Sequence, residues 1–221
     1  MHESIKMIYK ELKMVKKMVL LTVSLVLFFG CATHVNLRSF TNPSIQGGTI
    51  QTVAILPVRN NRILPGDSME MARSFTREFL RLNPGLELIN AAQATDMLVK
   101  ANLADKYADF LRDYAVSGIP NSVILKEIGA ALNVDAIAQG EIFDLIQKDG
   151  HYPGVMAVTS LVLRYSLLST DNGDVLWEAS CSASSKPRGF FVTVWSPPPP
   201  FSEVIEMAQQ EVLKDLPYLG Y

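Results

Sequence analysis

The clearest pattern of apolar and polar positions lies in the second half of the chain, where apolar side chains recur at every second residue. The apolar positions of the two alternating runs are Leu161, Leu163, Tyr165 and Leu167, then Val175, Trp177, Ala179 and Cys181. A period of two is typical of strands with one buried face. Residues 171–174, DNGD, separate the runs and tolerate positive φ, so the pattern predicts an antiparallel hairpin.

Three shorter apolar runs predict further strands at residues 52–58, 86–89 and 136–145, and the first of them is rich in β-branched residues. Pro57 marks the point where ladder pairing should stop in the first of them. Gly140 interrupts the third run, which indicates a bulge or the close approach of another backbone. Together with the hairpin, these runs predict five strands.

Apolar residues spaced three or four positions apart predict the helices. The most regular of these stripes consists of Met71, Phe75, Phe79 and Leu82, in a helix expected over 68–82. Asn121 or Ser122 caps a helix over 122–132, and Asn133 suits the left-handed position that follows it. The other helical segments are expected at 91–103, 105–116 and 202–216.

The elements predict an α/β (α+β) fold, a mixed parallel/antiparallel sheet with helices packed on it. With 91–116 counted as one stretch, their order is β-α-β-α-α-β-β-β-α. A single domain is expected over 51–221, including the Pro-rich segment 197–200 and the C-terminal helix. Residues 31–50 are polar and without a period, so we interpret them as a flexible tether of roughly 24 Å r.m.s. span.

The N-terminal segment has the pattern of an export signal. Five lysines in residues 1–17 precede an uncharged apolar run from Val19 to Phe29. Eleven helical residues rise only about 16 Å, against a hydrocarbon core of about 30 Å, so the run is too short to span a membrane. We therefore expect 1–30 to be a signal peptide, with Met1, Met14 and Met18 all open as the translation start.

The end of this segment, Phe28-Phe29-Gly30-Cys31, resembles the bacterial lipobox. The resemblance implies cleavage before Cys31, lipidation of its thiol, and palmitate or a similar acyl chain as the membrane anchor. Ala32, in the second position of the mature chain, implies sorting to the periplasmic face of the outer membrane, with the inner membrane as the alternative. A chance cysteine after an ordinary signal peptide is the competing interpretation.

Charge and cysteine content narrow the class of protein. Removing the five lysines and two glutamates of residues 1–30 leaves 15 basic against 20 acidic side chains, a net charge of −5. This balance argues against nucleic acid as a partner, since phosphate binding needs concentrated Lys and Arg. With Cys31 lipidated, Cys181 has no partner in the chain, and we expect it to be a buried apolar residue in a domain without disulfides.

No motif in the chain indicates catalysis, a cofactor or a metal site, so we expect a protein that is not an enzyme. Asp135, Glu141 and Asp144 could form a carboxylate pair, but strand-end and solvent-facing acids are the favoured interpretation. Trp177 could line a binding groove, although a Trp in an alternating strand is more often a core residue. His34 and His151 have no metal-ligand spacing.

An aromatic segment just before four consecutive prolines is the strongest candidate contact surface. It contains Phe190, Phe191 and Trp195, followed by Pro197 to Pro200. Aromatic residues and extended Pro-rich segments both favour recognition, so these residues are a predicted partner-docking site. The alternative is an edge strand ended by its prolines.

Three segments of the sequence resemble those of a known group of bacterial lipoproteins. They are TVAILPVRN, LKEIGAALNVDAIAQGEIFDL and LVLRYSLLSTDNGDVLW, within residues 50–185. They resemble the periplasmic α/β domain shared by the curli-secretion lipoprotein CsgG, activators of the LpoB type and small lipoproteins of unassigned role. The resemblance implies a non-enzymatic scaffold, regulator or assembly factor of an envelope complex, with an unknown envelope protein or a second copy as partner. A small-ligand-binding or transport-auxiliary lipoprotein of an export system is the alternative.

Overall fold

Six strands form one mixed sheet in the computed structural model, which describes residues 33–43, 45, 50–60, 65–150, 155–187 and 197–219. The strands are β1 (His34–Thr41), β2 (Thr52–Ile55), β3 (Glu87–Ile89), β4 (Ala136–Lys148), β5 (Val158–Ser169) and β6 (Val175–Ser185). The helices are α1 (Pro65–Leu82), α2 (Ala91–Lys100), α3 (Ala104–Ser117), α4 (Ser122–Leu132) and α5 (Phe201–Lys214). The mixed α/β fold expected from the sequence is confirmed.

The strands lie in the order β1-β6-β5-β4-β2-β3. β2 pairs in parallel with β3 and with β4, as expected where helices connect the strands. From β4 onwards the pairing is antiparallel, through β5 and β6 to β1. The predicted hairpin is therefore the central pair of the antiparallel half, and Gly173 supplies the positive φ of its turn.

Helices cover the two faces of the sheet unequally. α1 and α5 bury the apolar side of β5 and β6, including Leu163, Tyr165 and Trp177. On the other face α2, α3 and α4 form a smaller core with Ala54, Leu56, Ile137 and Leu168. That second core lies over β2 and the adjoining ends of β4 and β5. The surface of the rest of this face is formed by the side chains of the strands themselves.

Local signals explain where the best-predicted elements begin and end. The Asn121 side chain accepts hydrogen bonds from the N–H groups of Val123 and Ile124 at the start of α4. Asn133 ends α4 in the left-handed region, with φ 53°, as expected. The space opposite Gly140 is filled by the ring of Tyr165, so the close neighbour is a side chain, and the bulge of β4 lies instead between Ile142 and Asp144.

The flexible tether expected over 31–50 is wrong for its described part. His34–Thr41 forms β1, and all eight residues pair with β6. Val35 and Leu37 pack against the core, whereas His34 and Asn36 are exposed. Two apolar positions are too few to give a recognisable period, and the strand is held mainly by backbone pairing with β6, which composition does not reveal.

Other differences concern element ends. α1 begins at Pro65, before the expected residue 68, because proline is well suited to the first turn of a helix. The two helical segments expected at 91–103 and 105–116 are confirmed as α2 and α3, although α2 already ends at Lys100, so three helices connect β3 to β4. None of the helices in the described ranges is both long and apolar enough to cross a membrane.

Candidate interaction face

Strand alternation leaves a polar half-sheet exposed on the side opposite α1 and α5. We call this surface the open face. Its members are exposed or half-buried: Asn36, Arg38, Phe40, Phe143, Ser160, Val162, Arg164, Glu178, Ser180, Ser182 and Ser184. Cross-strand register aligns them in rows, and one row runs from Arg38 through Ser180 and Arg164 to Glu141. The open face is therefore a surface four strands wide, with small serines along β6.

Arg164 lies at the inner border of the open face, where α3 begins to cover the sheet. Its Nη2 lies 2.8 Å from Oε2 of Glu141, and its Nη1 lies 3.9 Å from Oε2 of Glu178. Its guanidinium carbon is 4.4 Å from the centroid of the Phe143 ring and 5.2 Å from that of the Tyr114 ring. The cation is thus paired with carboxylates and lies over two aromatic faces, a combination that Arg accommodates better than Lys.

Glu141 connects this arginine to a second one. Its Oε1 lies 2.6 Å from Nη1 of Arg59, which also donates to the carbonyl oxygen of Leu111 in α3. The side chains of Arg164 and Glu141 are only 16% and 14% exposed. A carboxylate at this depth needs its partners, because breaking a buried pair leaves an uncompensated charge at a cost of about 3–5 kcal/mol.

Two tyrosines of α3 complete the polar network. Tyr114 and Ser166 both donate to Oε2 of Glu178, at 3.1 and 3.0 Å. Tyr107 donates to the side-chain oxygen of Gln139. Burial raises the pKa of both tyrosines, so both remain protonated donors at neutral pH.

Two aromatic side chains of the open face, one of them in contact with this network, are well exposed. Phe40 of β1 is 53% exposed, and Phe143 is 45% exposed at the bulge of β4. β1 is also one of the two outer strands of the sheet, and among the described strands it pairs only with β6, along one of its edges. Exposed aromatic rings beside arginine match the residue types enriched in the centres of protein interfaces.

The predicted lipidation and docking residues lie outside the described residues. These are Cys31, Phe190, Phe191 and Trp195. The described neighbours of the aromatic segment, Pro187 and Pro197, both line one cavity of about 350 Å³ beside Ser185 and Glu203. Pro187 and Pro197 therefore lie near the same end of the sheet, and the role of the aromatic segment stays a prediction.

The sequence allowed a carboxylate pair among three acidic residues, Asp135, Glu141 and Asp144. In the structure these residues have separate roles. Partial burial alone would raise the pKa of Asp135, but hydrogen bonds from the N–H groups of Gln51 and Thr52 and from the Thr52 hydroxyl lower it. Asp135 thus fastens the start of β2. Glu141 belongs to the arginine network and is not the solvent-facing acid expected from the sequence, because it pairs with Arg59 and Arg164 and its side chain is only 14% exposed. Asp144 lies opposite Val162 across the bulge of β4.

Trp177 and Cys181 are core residues, as favoured by their alternating pattern. Trp177 is buried, and its Nε1 donates to the carbonyl oxygen of Asp215 at the end of α5. Burial raises the pKa of the Cys181 thiol to about 11, and nearby Glu211 adds to the rise. Cys181 is therefore a poor nucleophile. No cluster of three His, Cys, Asp or Glu side chains able to hold a metal occurs in the described parts of the chain.

Sequence reasoning missed Arg59, Tyr114, Phe143 and Arg164 as members of one network. A partial signal was present, because Arg164 interrupts the apolar run LVLRYSLL, where a charge needs a partner. That partner could not be chosen without the strand order, since Glu141 and Arg59 come from β4 and from the segment after β2.

Comparison with known proteins finds no matching family model and no matching curated protein. Among solved structures, the chain is similar to the lipoprotein GNA1162 from Neisseria meningitidis, with 15% identity, 74% of this chain and 96% of that chain covered, and a TM-score of 0.48. It is also similar to a PelC L103M dodecamer from Paraburkholderia phytofirmans. That match has 16% identity, covers 81% of this chain and 96% of the PelC chain, and gives a TM-score of 0.45.

The C-terminal domain of LpoB from Salmonella enterica is a further similar structure. The match has 10% identity, covers 66% of this chain and 90% of the LpoB chain, and gives a TM-score of 0.35. All three TM-scores are below 0.5 and all three identities below 25%, so these likenesses assign neither a family nor a function.

Proposed function

We propose that this chain is a lipid-anchored envelope protein that acts without catalysis, as a scaffold, regulator or assembly factor, through protein contacts. Its anchor is Cys31, on the periplasmic face of the outer membrane. The leader that ends at Gly30-Cys31 supports the anchor. The open face of the sheet is the single observation that carries the contact function.

The composition of the open face suits a protein partner better than a small molecule. Ser180, Ser182 and Ser184 keep its centre flat, and Phe40 and Phe143 offer apolar contact on two of its strands. A flat surface lets a partner bury many side chains at once, whereas small ligands need a concave pocket.

The charged groups at the border of the open face favour a role in recognising a partner over a role in catalysis. Glu141 contacts two arginines, and Glu178 accepts hydrogen bonds from Tyr114 and Ser166. These groups hold each other in fixed positions, which suits a surface that recognises a partner's shape and charge.

Site-specific photocrosslinking in native envelopes tests the proposal. A photoreactive phenylalanine analogue at Phe143 or Ser182 on the open face should yield a discrete adduct to an envelope protein or to a second copy of the chain. The matched control places the analogue at Leu80, an exposed residue of α1 on the other side of the sheet. Adducts of equal yield at Leu80, or none from the open face, would contradict the proposed contact surface.

A small-ligand or transport-auxiliary function is the second candidate, and one cavity favours it. A groove of about 450 Å³ lies between α1 and α5, with Met71, Phe201 and Ile205 beside charged Asp67, Glu70, Arg77 and Glu206. If this function holds, envelope extracts should raise the melting temperature of the domain, and Ile205→Arg should abolish the rise. Adducts confined to the open face would favour the scaffold function instead.

A further inference from the structure

We infer that the domain stands directly on the lipid surface, with one end of its sheet in contact with the headgroups. We call this surface the anchor end, and its described residues are His34, Lys148, Val155, Met156, Lys186 and Pro197. This geometry holds only if Cys31 is lipidated as proposed above. It replaces the long tether expected from the sequence.

The length of chain between the anchor and the sheet is the first observation. β1 begins at His34 and every one of its residues pairs with β6. Two residues, Ala32 and Thr33, separate Cys31 from His34. The three steps from Cys31 to His34 span at most about 11 Å in a fully extended chain. A lipidated Cys31 at the membrane boundary therefore keeps the first residue of the sheet within about 11 Å of its lipid.

Strand register determines which end of the sheet is held there. His34 lies opposite Ser184 of β6, and Ser184 lies opposite Ser160 of β5. Lys148, the last residue of β4, lies opposite Val158, the first residue of β5. One end of the sheet thus contains the start of β1 and β5 and the end of β4 and β6, and all four come close to the anchor together.

The opposite end of the sheet is far from the membrane in this arrangement. β5 has 12 residues, which span about 40 Å at about 3.3 Å per residue. The far end carries the turn at Gly173, which packs against Ser122 at the start of α4. The strands consequently run away from the lipid surface, and the open face is presented sideways to neighbouring proteins.

The side chains of the anchor end suit a lipid surface. Val155 and Met156 are 43% and 40% exposed, just before β5 begins. Lys148 and Lys186 are exposed beside them, with Asp149 and Glu203 as the nearby acids. Apolar side chains together with lysines are typical of surfaces that rest in the headgroup region of anionic membranes.

The proline segment 197–200 forms a rigid border at this end of the sheet, which we call the rim. The hydroxyl of Thr159 donates to the carbonyl oxygen of Pro199 at 2.6 Å, and Pro199 is buried. Pro197 and Pro200 on either side are exposed. Because the start of β5 holds this segment, the rim keeps its position when the domain approaches a membrane.

Depth-dependent fluorescence quenching tests the inference on the full lipidated protein. A bimane label is attached at Met156→Cys on the anchor end, or at Val123→Cys, a 65% exposed residue of α4 at the far end. The protein is reconstituted in vesicles of phosphatidylethanolamine and phosphatidylglycerol that contain a lipid with a nitroxide headgroup. We expect quenching several-fold stronger at position 156 than at position 123.

Failure of the inference is distinguishable from failure of the anchor. Palmitate-labelled, vesicle-bound protein with equal quenching at the two positions would overturn the inference alone. Protein without palmitate that stays off the vesicles would overturn the proposed anchor, and the inference with it.

A spacer variant tests the role of the short link. Twenty Gly/Ser residues inserted between Ala32 and Thr33 give a flexible link of roughly 25 Å r.m.s. length. We expect the quenching at position 156 to fall towards that at position 123, while palmitate labelling persists. Undiminished quenching would overturn the role assigned to the short link.

Discussion

The guanidinium group of Arg164 lies over the ring of Phe143, with 4.4 Å between its central carbon and the ring centroid. The contact joins a bulge of β4 to the middle of β5, and it places a charged group that is mostly buried beside an aromatic ring that is 45% exposed. The position of Phe143 on the open face thus depends on an arginine held by Glu141. The structural network and the proposed contact surface meet at this pair.

Replacing Arg164 with Leu should lower the free energy of unfolding by about 2–4 kcal/mol, because Glu141 loses one of its two charged partners inside the protein. The measurement is urea unfolding followed by circular dichroism. Arg112→Leu is the matched control, since Arg112 forms an exposed pair with Asp109 within α3 and should contribute at most about 0.5 kcal/mol. Equal losses in the two variants would contradict the role of the network.

Gly140→Ala should destabilise the domain by about 1–3 kcal/mol through overpacking. A Cβ atom at this position would lie 2.6 Å from Cε1 of Tyr165, whose ring stacks on Phe75 with centroids 4.0 Å apart and has little room to move. Gly85→Ala is the control, because nothing lies within 4 Å of its added methyl group. A Gly140→Ala melting temperature equal to that of Gly85→Ala would show that the ring can shift freely.

Removal of β1 should destabilise the domain, because the edge of β6 then loses its hydrogen-bonded partner. A fragment that starts at Thr33 is expected to melt several degrees above one that starts at Ile50, and the shorter fragment should aggregate more readily. Neither melting temperature should respond to a reducing agent, since Cys181 is a free, buried thiol. Identical melting temperatures for the two fragments would mean that β1 adds nothing to the fold.

Trp195→Ala should weaken association with a partner, or self-association, by more than about 1 kcal/mol while leaving the stability of the isolated domain nearly unchanged. This prediction rests on the sequence, because Trp195 lies outside the described residues. Sedimentation of the parent protein and of the variant measures the association, and thermal melting of both measures the stability. A variant that unfolds outright would assign the segment to the core instead.

The elements that sequence reasoning predicted well have strong local signals. The alternation of β5 and β6, the Asn121 cap and the left-handed Asn133 each depend on near neighbours in the chain, so a short window contains the information. β1 was missed because its stability comes from pairing with β6, more than a hundred residues later. The open face was missed for the same reason, since Arg38, Arg164 and Glu141 form a row only after strands from three regions are placed side by side.

Metabolic palmitate labelling of the full chain and of Cys31→Ser is the most direct test of the central claim, that this domain is anchored to a membrane by lipid. We expect label in the parent protein and none in the variant, which should accumulate as uncut or unanchored protein because Cys31 carries the acyl chains. Ser39→Cys or another added thiol should not restore the label. Label retained by Cys31→Ser would contradict the lipid anchor and the orientation of the domain derived from it.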